Sequence, residues 1–207
     1  MEKLNSKRDG QGVVYSSDGK ILIRAPKDIE SCVIADGTEI IAEGAFLGPF
    51  ALCNKLKSVV IPDSVRTIGN DAFRGCSSLT EIRLPKHLKV IRQNCFNGCT
   101  SLVEIQMPED LESVESQAFA QCQSLEYIEF PDGTRRLGEN LIGACRNLKQ
   151  VVLPKTIIYV GDHCFNTNDD GPFGRECCAQ ILVPDGYYEK YKRLLTGYNK
   201  HVYEYDE

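Results

Sequence analysis

Five prolines, Pro62, Pro85, Pro108, Pro131 and Pro154, follow one another at intervals of 23 residues. A constant period of this length means that each segment is one copy of a supersecondary unit, and it limits the possible folds more than composition does. Other columns keep the same phase. Six residues after the prolines stand Ile68, Ile91, Val114, Leu137 and Val160, and eleven after stand Phe73, Phe96, Phe119, Ile142 and Phe165. Cys76, Cys99, Cys122 and Cys145 follow at fourteen, Leu79, Leu102, Leu125 and Leu148 at seventeen, and Ile82, Ile105, Ile128 and Val151 at twenty. Upstream the array reaches Ala35 through a tier of 27 residues, with four inserted near Gly48–Ala51. Downstream it reaches Pro184 through a tier of 30, with seven extra within Asn166–Cys177.

The stretch Leu79-Thr80-Glu81-Ile82-Arg83-Leu84 ends in alternation, with Ile82 and Leu84 on one side and Glu81 and Arg83 on the other. That pattern predicts a half-buried strand. The proline that follows lacks a backbone donor and ends it. Seven strands are expected, one ahead of each of residues 35, 62, 85, 108, 131, 154 and 184. Residues such as Ser64 to Asn70 then turn the chain, and an Asp-Ala-Phe-type segment returns it. One unit cannot bury its own apolar side, but stacked units can. The fold expected is an α/β repeat solenoid with a parallel β-sheet on one face. Residues 30–184 form the array, and residues 1–29 and 185–207 close its ends. Val13 to Ile23 predicts a β-hairpin turning at Asp18-Gly19, laid across the first tier. Tyr187 to Leu195 predicts a short helix whose Tyr188, Tyr191, Leu194 and Leu195 cover the last tier. Tyr198, Tyr203 and Tyr205 fall in a polar tail.

The string Cys76-Ser77-Ser78-Leu79-Thr80-Glu81-Ile82-Arg83-Leu84-Pro85, followed by Ile91 and Cys95-Phe96, resembles the BspA-like (Treponema pallidum-type) leucine-rich repeat family. The fourth full repeat departs from the pattern with Leu141-Ile142 in place of Ala-Phe, and the last with Asn168 in place of the cysteine. The resemblance implies a right-handed leucine-rich-repeat coil in a bacterial protein. It also implies a secreted or surface-exposed location, a role in adhesion or recognition, and no catalytic residues.

With 24 basic and 29 acidic residues the formal charge is −5, and the basic residues are scattered. Nucleic acid is therefore not an expected partner. No apolar run approaches the ~18 residues of a membrane span. The first ten residues lack the apolar core of a secretory signal, so none is expected within this chain.

The ten cysteines are mostly column residues. Cys53 extends the cysteine column, Cys95 and Cys164 replace the alanine before Phe, Cys178 replaces a column leucine, and Cys32 holds a strand core position. They are expected to be buried small hydrophobes. Stacked tiers hold Cβ atoms near ~4.8 Å, wider than the ~3.8 Å of a disulfide. Cys177 fits no apolar column, so Cys177–Cys178 is the pair most open to oxidation. A thiol-dependent hydrolase using it is the least favoured reading. His87 and His163 lie in different columns three tiers apart, at least ~14 Å by strand spacing, and His201 lies in the tail. No shared metal or catalytic base is expected, and no cofactor. Asn166-Thr167-Asn168-Asp169-Asp170-Gly171 loosely matches the start of an EF-hand loop, but Cys177 falls where a bidentate Glu is needed. An ordinary polar turn is the expectation there.

The solvent face of the sheet remains. One outward column reads Ser31, Ser58, Glu81, Glu104, Tyr127, Gln150 and Gln180; the other reads Val33, Val60, Arg83, Gln106, Glu129, Val152 and Leu182. A plain solvated face would not need Val60, Tyr127, Val152 and Leu182, and solenoid faces commonly bind partners. The expected site is Val60, Glu81, Arg83, Glu104, Gln106, Tyr127, Glu129, Gln150 and Val152, taking a protein or peptide with a basic or mixed segment. The inserted residues 48–51 and 169–175 are secondary candidates. A spacer or self-associating segment is the alternative, and the oligomeric state is left open.

Overall fold

The computed structural model describes residues 6–47, 53–166, 179–195 and 202–205. Within them the chain coils through seven tiers, and each of the first six has three sides. The first side carries the strands ahead of the prolines: β4 (Ser31–Val33), β6 (Ser58–Val60), β8 (Glu81–Arg83), β11 (Tyr127–Glu129), β13 (Gln150–Val152) and β15 (Gln180–Pro184). Their central residues are buried and their flanking residues mostly open, as the alternation predicts. We call this the sheet face.

The second side carries a second parallel sheet where the sequence predicts only a turn. Its strands are two residues long: β5 (Ile40–Ile41), β7 (Thr67–Ile68), β9 (Val90–Ile91), β10 (Ser113–Val114), β12 (Arg136–Leu137) and β14 (Tyr159–Val160). Each pairs the residue six after the proline, or after Ala35 in the first tier, with its half-buried or exposed predecessor, a run too short to show a period. On this side Gly138 is fixed by close approach: a Cβ there would lie 2.3 Å from the Ser116 nitrogen of the preceding tier.

The third side returns the chain without regular strands, yet it is the most continuous. Asp71, Phe73 and Gly75 donate their N–H groups to the carbonyls of Gln93, Cys95 and Asn97 in the next tier. The same three bonds recur from Asn94, Phe96 and Gly98, from Gln117, Phe119 and Gln121, and from Asn140, Ile142 and Ala144. Inside this ladder Phe46, Phe73, Phe96 and Phe119 stack, with centroids 4.8, 5.5 and 5.5 Å apart. The polar column Asp71, Asn94, Gln117, Asn140 and His163 has φ between 48° and 58° throughout. Asn and Asp tolerate this left-handed region better than most residues. The column is thus a backbone requirement, and His163 belongs to it as a turn residue. Four residues further on, Gly75 and Gly98 meet the same demand at φ 70° and 77°, whereas Gln121 and Ala144 adopt it with side chains attached.

The cap strands β2 (Val14–Ser16) and β3 (Ile21–Arg24) form the expected hairpin. It does not lie across the first tier. β3 instead pairs in parallel with β5 and extends the second sheet, while β1 (Ser6–Arg8) adds an outer antiparallel strand. The sheet face receives a different stop. The Gln11 amide accepts a bond from Val33 N at 3.0 Å and donates one to Val33 O at 2.8 Å, the two bonds a neighbouring strand would make. At the other end α1 (Tyr188–Leu194) buries Tyr191, whose hydroxyl bonds the Pro154 carbonyl. Tyr203 and Tyr205 do not lie in a polar tail, and Tyr198 lies outside the described residues. Val202–Tyr205 is strand β16, parallel to β15, and Val202 is buried at the β15 edge. The tyrosines alternate with charge, so the segment looks solvated, but pairing to an open sheet edge satisfies its backbone.

Candidate functional site

On the sheet face the predicted outward columns do point outward. Val60 is 57% exposed and Tyr127 40%, and Glu81, Arg83, Glu104, Gln106 and Glu129 are open to solvent, with Gln150 half-buried. Val152 departs from the expectation: it is buried, at 7%. It sits in register between Glu129 and Leu182 on the neighbouring strands. The exposed apolar side chains are Val33, Val60 and Tyr127, joined by Tyr203, which β16 brings into register with Leu182.

The face is not one continuous sheet. β4, β6 and β8 pair in register, and a single bridge carries on from Arg83 to Gln106. Pairing resumes only at β11, which runs through β13 and β15 to β16. Between the two sheets, Glu104 to Met107 has no strand pairing with Tyr127 to Phe130. The tiers are still joined just before the gap, where Glu126 N donates to Val103 O at 3.2 Å. The result is a notch of about 410 Å³, with Ile105, Met107 and Pro131 beneath and Glu104, Gln106, Tyr127 and Glu129 around it. Ile105 is 8% exposed, so the floor is continuous with the core.

The Tyr127 hydroxyl donates to Glu129 Oε2 at 2.6 Å. Burial first, then this bond to a carboxylate, pushes the phenol up to about 12, so it stays a neutral donor. The carboxylates Glu81, Glu104 and Glu129 make no ion pair among the described residues. The flanks differ. Glu30–Lys57, Lys89–Glu112 and Glu126–Lys149 bridge successive tiers at 2.8, 2.7 and 2.6 Å. His87 and Asp110 do the same at 2.6 Å, an exposed pairing that accounts for His87 without catalysis.

The thiols are placed for packing. All eight described cysteines are buried, and Cys32, Cys53, Cys76, Cys95, Cys99, Cys122 and Cys145 are free thiols. Sγ of Cys99, Cys122 and Cys145 donates to the carbonyl of Phe73, Phe96 and Phe119 in the tier before, at 3.2, 3.2 and 3.0 Å. Column position alone does not reveal this polar duty. Burial pushes the Cys53 thiol up to about 11 and Cys32 up to about 12, away from reactive thiolate. Cys177, Cys178, His201, the EF-hand-like stretch from Thr167 on and residues 48–51 and 169–175 lie outside the described residues. A larger polar groove of about 560 Å³ follows the return side past Gln117, Asn140 and His163, but left-handed backbone accounts for those side chains.

Stacked parallel tiers with a leucine, phenylalanine and cysteine core define a leucine-rich-repeat solenoid. Residues 47–170 match the BspA-type leucine-rich repeat region in six copies, well over half of the chain, and the protein belongs to that family. No curated protein sequence matches it. Among solved structures it is similar to the Treponema pallidum leucine-rich repeat protein, at 23% identity and a TM-score of 0.61, over 94% of both chains. A leucine-rich cell surface protein from Faecalibacterium prausnitzii matches at 19% identity and a TM-score of 0.65, over 86% of this chain and 54% of its own. A leucine-rich repeat protein from Bacteroides ovatus matches at 25% identity and a TM-score of 0.55, over 88% and 54%. This chain thus spans about half the length of the last two. Among the described residues no helix is long and apolar enough to cross a membrane.

Proposed function

We propose that the protein is a non-enzymatic recognition module that binds a protein or peptide through its sheet face. The observation that carries this reading is the contrast in charge pairing. On the flanks Glu30, Glu112 and Glu126 are bridged to lysines of neighbouring tiers, whereas Glu81, Glu104 and Glu129 stand unneutralised beside the exposed Tyr127 and Val60. Unpaired charge next to an exposed aromatic suits a partner of complementary charge. Adhesion at a bacterial surface is the role this reading favours. The similar fold of a protein described as a cell surface protein supports it, as does family membership.

The test is capture of purified surface-protein fragments by the wild type, Tyr127→Ala and Glu104→Lys, with Lys86→Ala as a control away from the face. Binding that falls at least about tenfold in both face variants, a loss of roughly 1.4 kcal/mol, is expected. Unchanged binding in both moves the site elsewhere on the molecule.

A further inference from the structure

The break in the sheet face sharpens this reading and rests on it. We propose that the notch between the fourth and fifth tiers is a subsite for one cationic side chain, arginine above all, from the protein partner. Three features of the notch point to this chemistry. Its floor is apolar, formed by Ile105, Met107 and Pro131, and it suits the methylene stem of a long side chain. Its rim carries Glu104 and Glu129, neither of which has a cation partner among the described residues. Its wall is the Tyr127 ring, 40% exposed and tethered by its hydroxyl to Glu129. A guanidinium stacks on an aromatic face while its edge bonds carboxylates, which an ammonium does less well. The same pairing already occurs on the second sheet, where the Arg136 guanidinium lies 4.5 Å from the Tyr159 ring centroid.

Strand pairing also explains why the pocket is here. Elsewhere along the described face neighbouring strands are paired in register or, from Arg83 to Gln106, joined by a bridge. Where Glu104 to Met107 lacks pairing with Tyr127 to Phe130, the lip opens while the return side stays closed, with Phe96 and Phe119 still stacked at 5.5 Å.

The chain has only two methionines, Met1 and Met107, so methyl-13C methionine labelling of the full-length protein gives one signal in the notch. The probe is N-acetyl-arginine amide, with N-acetyl-citrulline amide as its uncharged analogue of similar shape. We expect a saturable shift of the Met107 methyl with arginine, half-complete in the millimolar range, on the order expected of a single-residue ligand. Citrulline should leave it in place, and N-acetyl-lysine amide should bind several-fold more weakly than arginine. Glu104→Gln and Glu129→Gln should each weaken the arginine response about threefold or more, and raised salt should weaken it in the wild type. A Met107 methyl that ignores arginine, or follows citrulline equally, overturns the proposal. If fragment capture still depends on Tyr127 and Glu104 in that event, the face binds by other means and only the subsite falls. If capture is also independent of them, both readings fall.

Discussion

The return side and the sheet face are built from the same tiers, yet they differ in continuity. On the return side three backbone bonds join each pair of tiers from the second to the sixth, and all run from the earlier N–H to the later carbonyl. The sheet face breaks between its fourth and fifth tiers, and the second sheet breaks between β7 and β9. Asn70, just beyond β7, holds the one buried side-chain oxygen among the described residues that lacks a partner. A solenoid needs only one uninterrupted spine. Where that spine carries the stacking, as the phenylalanine column does here, the other sides are free to open locally and build a site.

The contrast predicts effects that shrink with distance from the spine. Leu102 is fully buried, and Leu102→Asp places a charge between tiers. The cooperative urea transition followed by circular dichroism should disappear, and a midpoint equal to wild type would contradict the stacked core. Alkaline stability comes next. The thiols of Cys32, Cys53, Cys76, Cys95 and Cys99 are held above their ordinary value by burial, and Cys122 by its bond with Cys145 and by burial. In the unfolded chain such thiols lose their protons near pH 9, while in the folded chain they keep them. The unfolded state therefore binds fewer protons above pH 9, and stability falls with rising pH by up to about 1.4 kcal/mol per pH unit for each thiol. The slope fades over the pH unit or two below about pH 9 and vanishes near neutrality. Denaturant midpoints should be flat from pH 6 to 7, begin to fall above about pH 8 and drop steeply from 9 to 11, and a flat profile to pH 11 would place the thiols in water.

Truncations compare the two sides directly. Phe96→Ala, in the middle of the ring stack, should cost about 3–5 kcal/mol, and Ile105→Ala on the floor of the notch about 2 kcal/mol. Equal costs in chemical denaturation would show that the open side bears as much of the stacking as the spine. The smallest effect has the opposite sign. Ala144 holds φ 60° where two other tiers use glycine. Ala144→Gly removes that strain and should raise stability by about 0.5–1 kcal/mol despite the added freedom of the unfolded chain. A loss on that substitution would mean the methyl group contributes more by packing than it costs in backbone strain.

The core could be read from the sequence because burial repeats in phase: Phe73, Phe96 and Phe119 announce their stack by number alone. The second sheet could not, since pairs such as Thr67-Ile68 are shorter than any detectable alternation. β16 was hidden for a different reason. Its Tyr203 and Tyr205 alternate with Glu204, and only the open edge of β15 makes a strand of them. In the candidate site, the facing of each residue follows from alternation, and Tyr127 and the three glutamates emerge that way. The notch does not, because Glu104-Ile105-Gln106-Met107 alternates just as its paired neighbours do. The burial of Val152 likewise depends on which side chains stand beside it in register.

A stack of equivalent tiers has no inherent length, and any exposed strand at its end invites another copy to dock. At the first rung one glutamine occupies that edge. By offering Val33 both a donor and an acceptor, the Gln11 side chain takes the two bonds that the backbone of a further tier would make. A second copy adding at this rung would have to displace it.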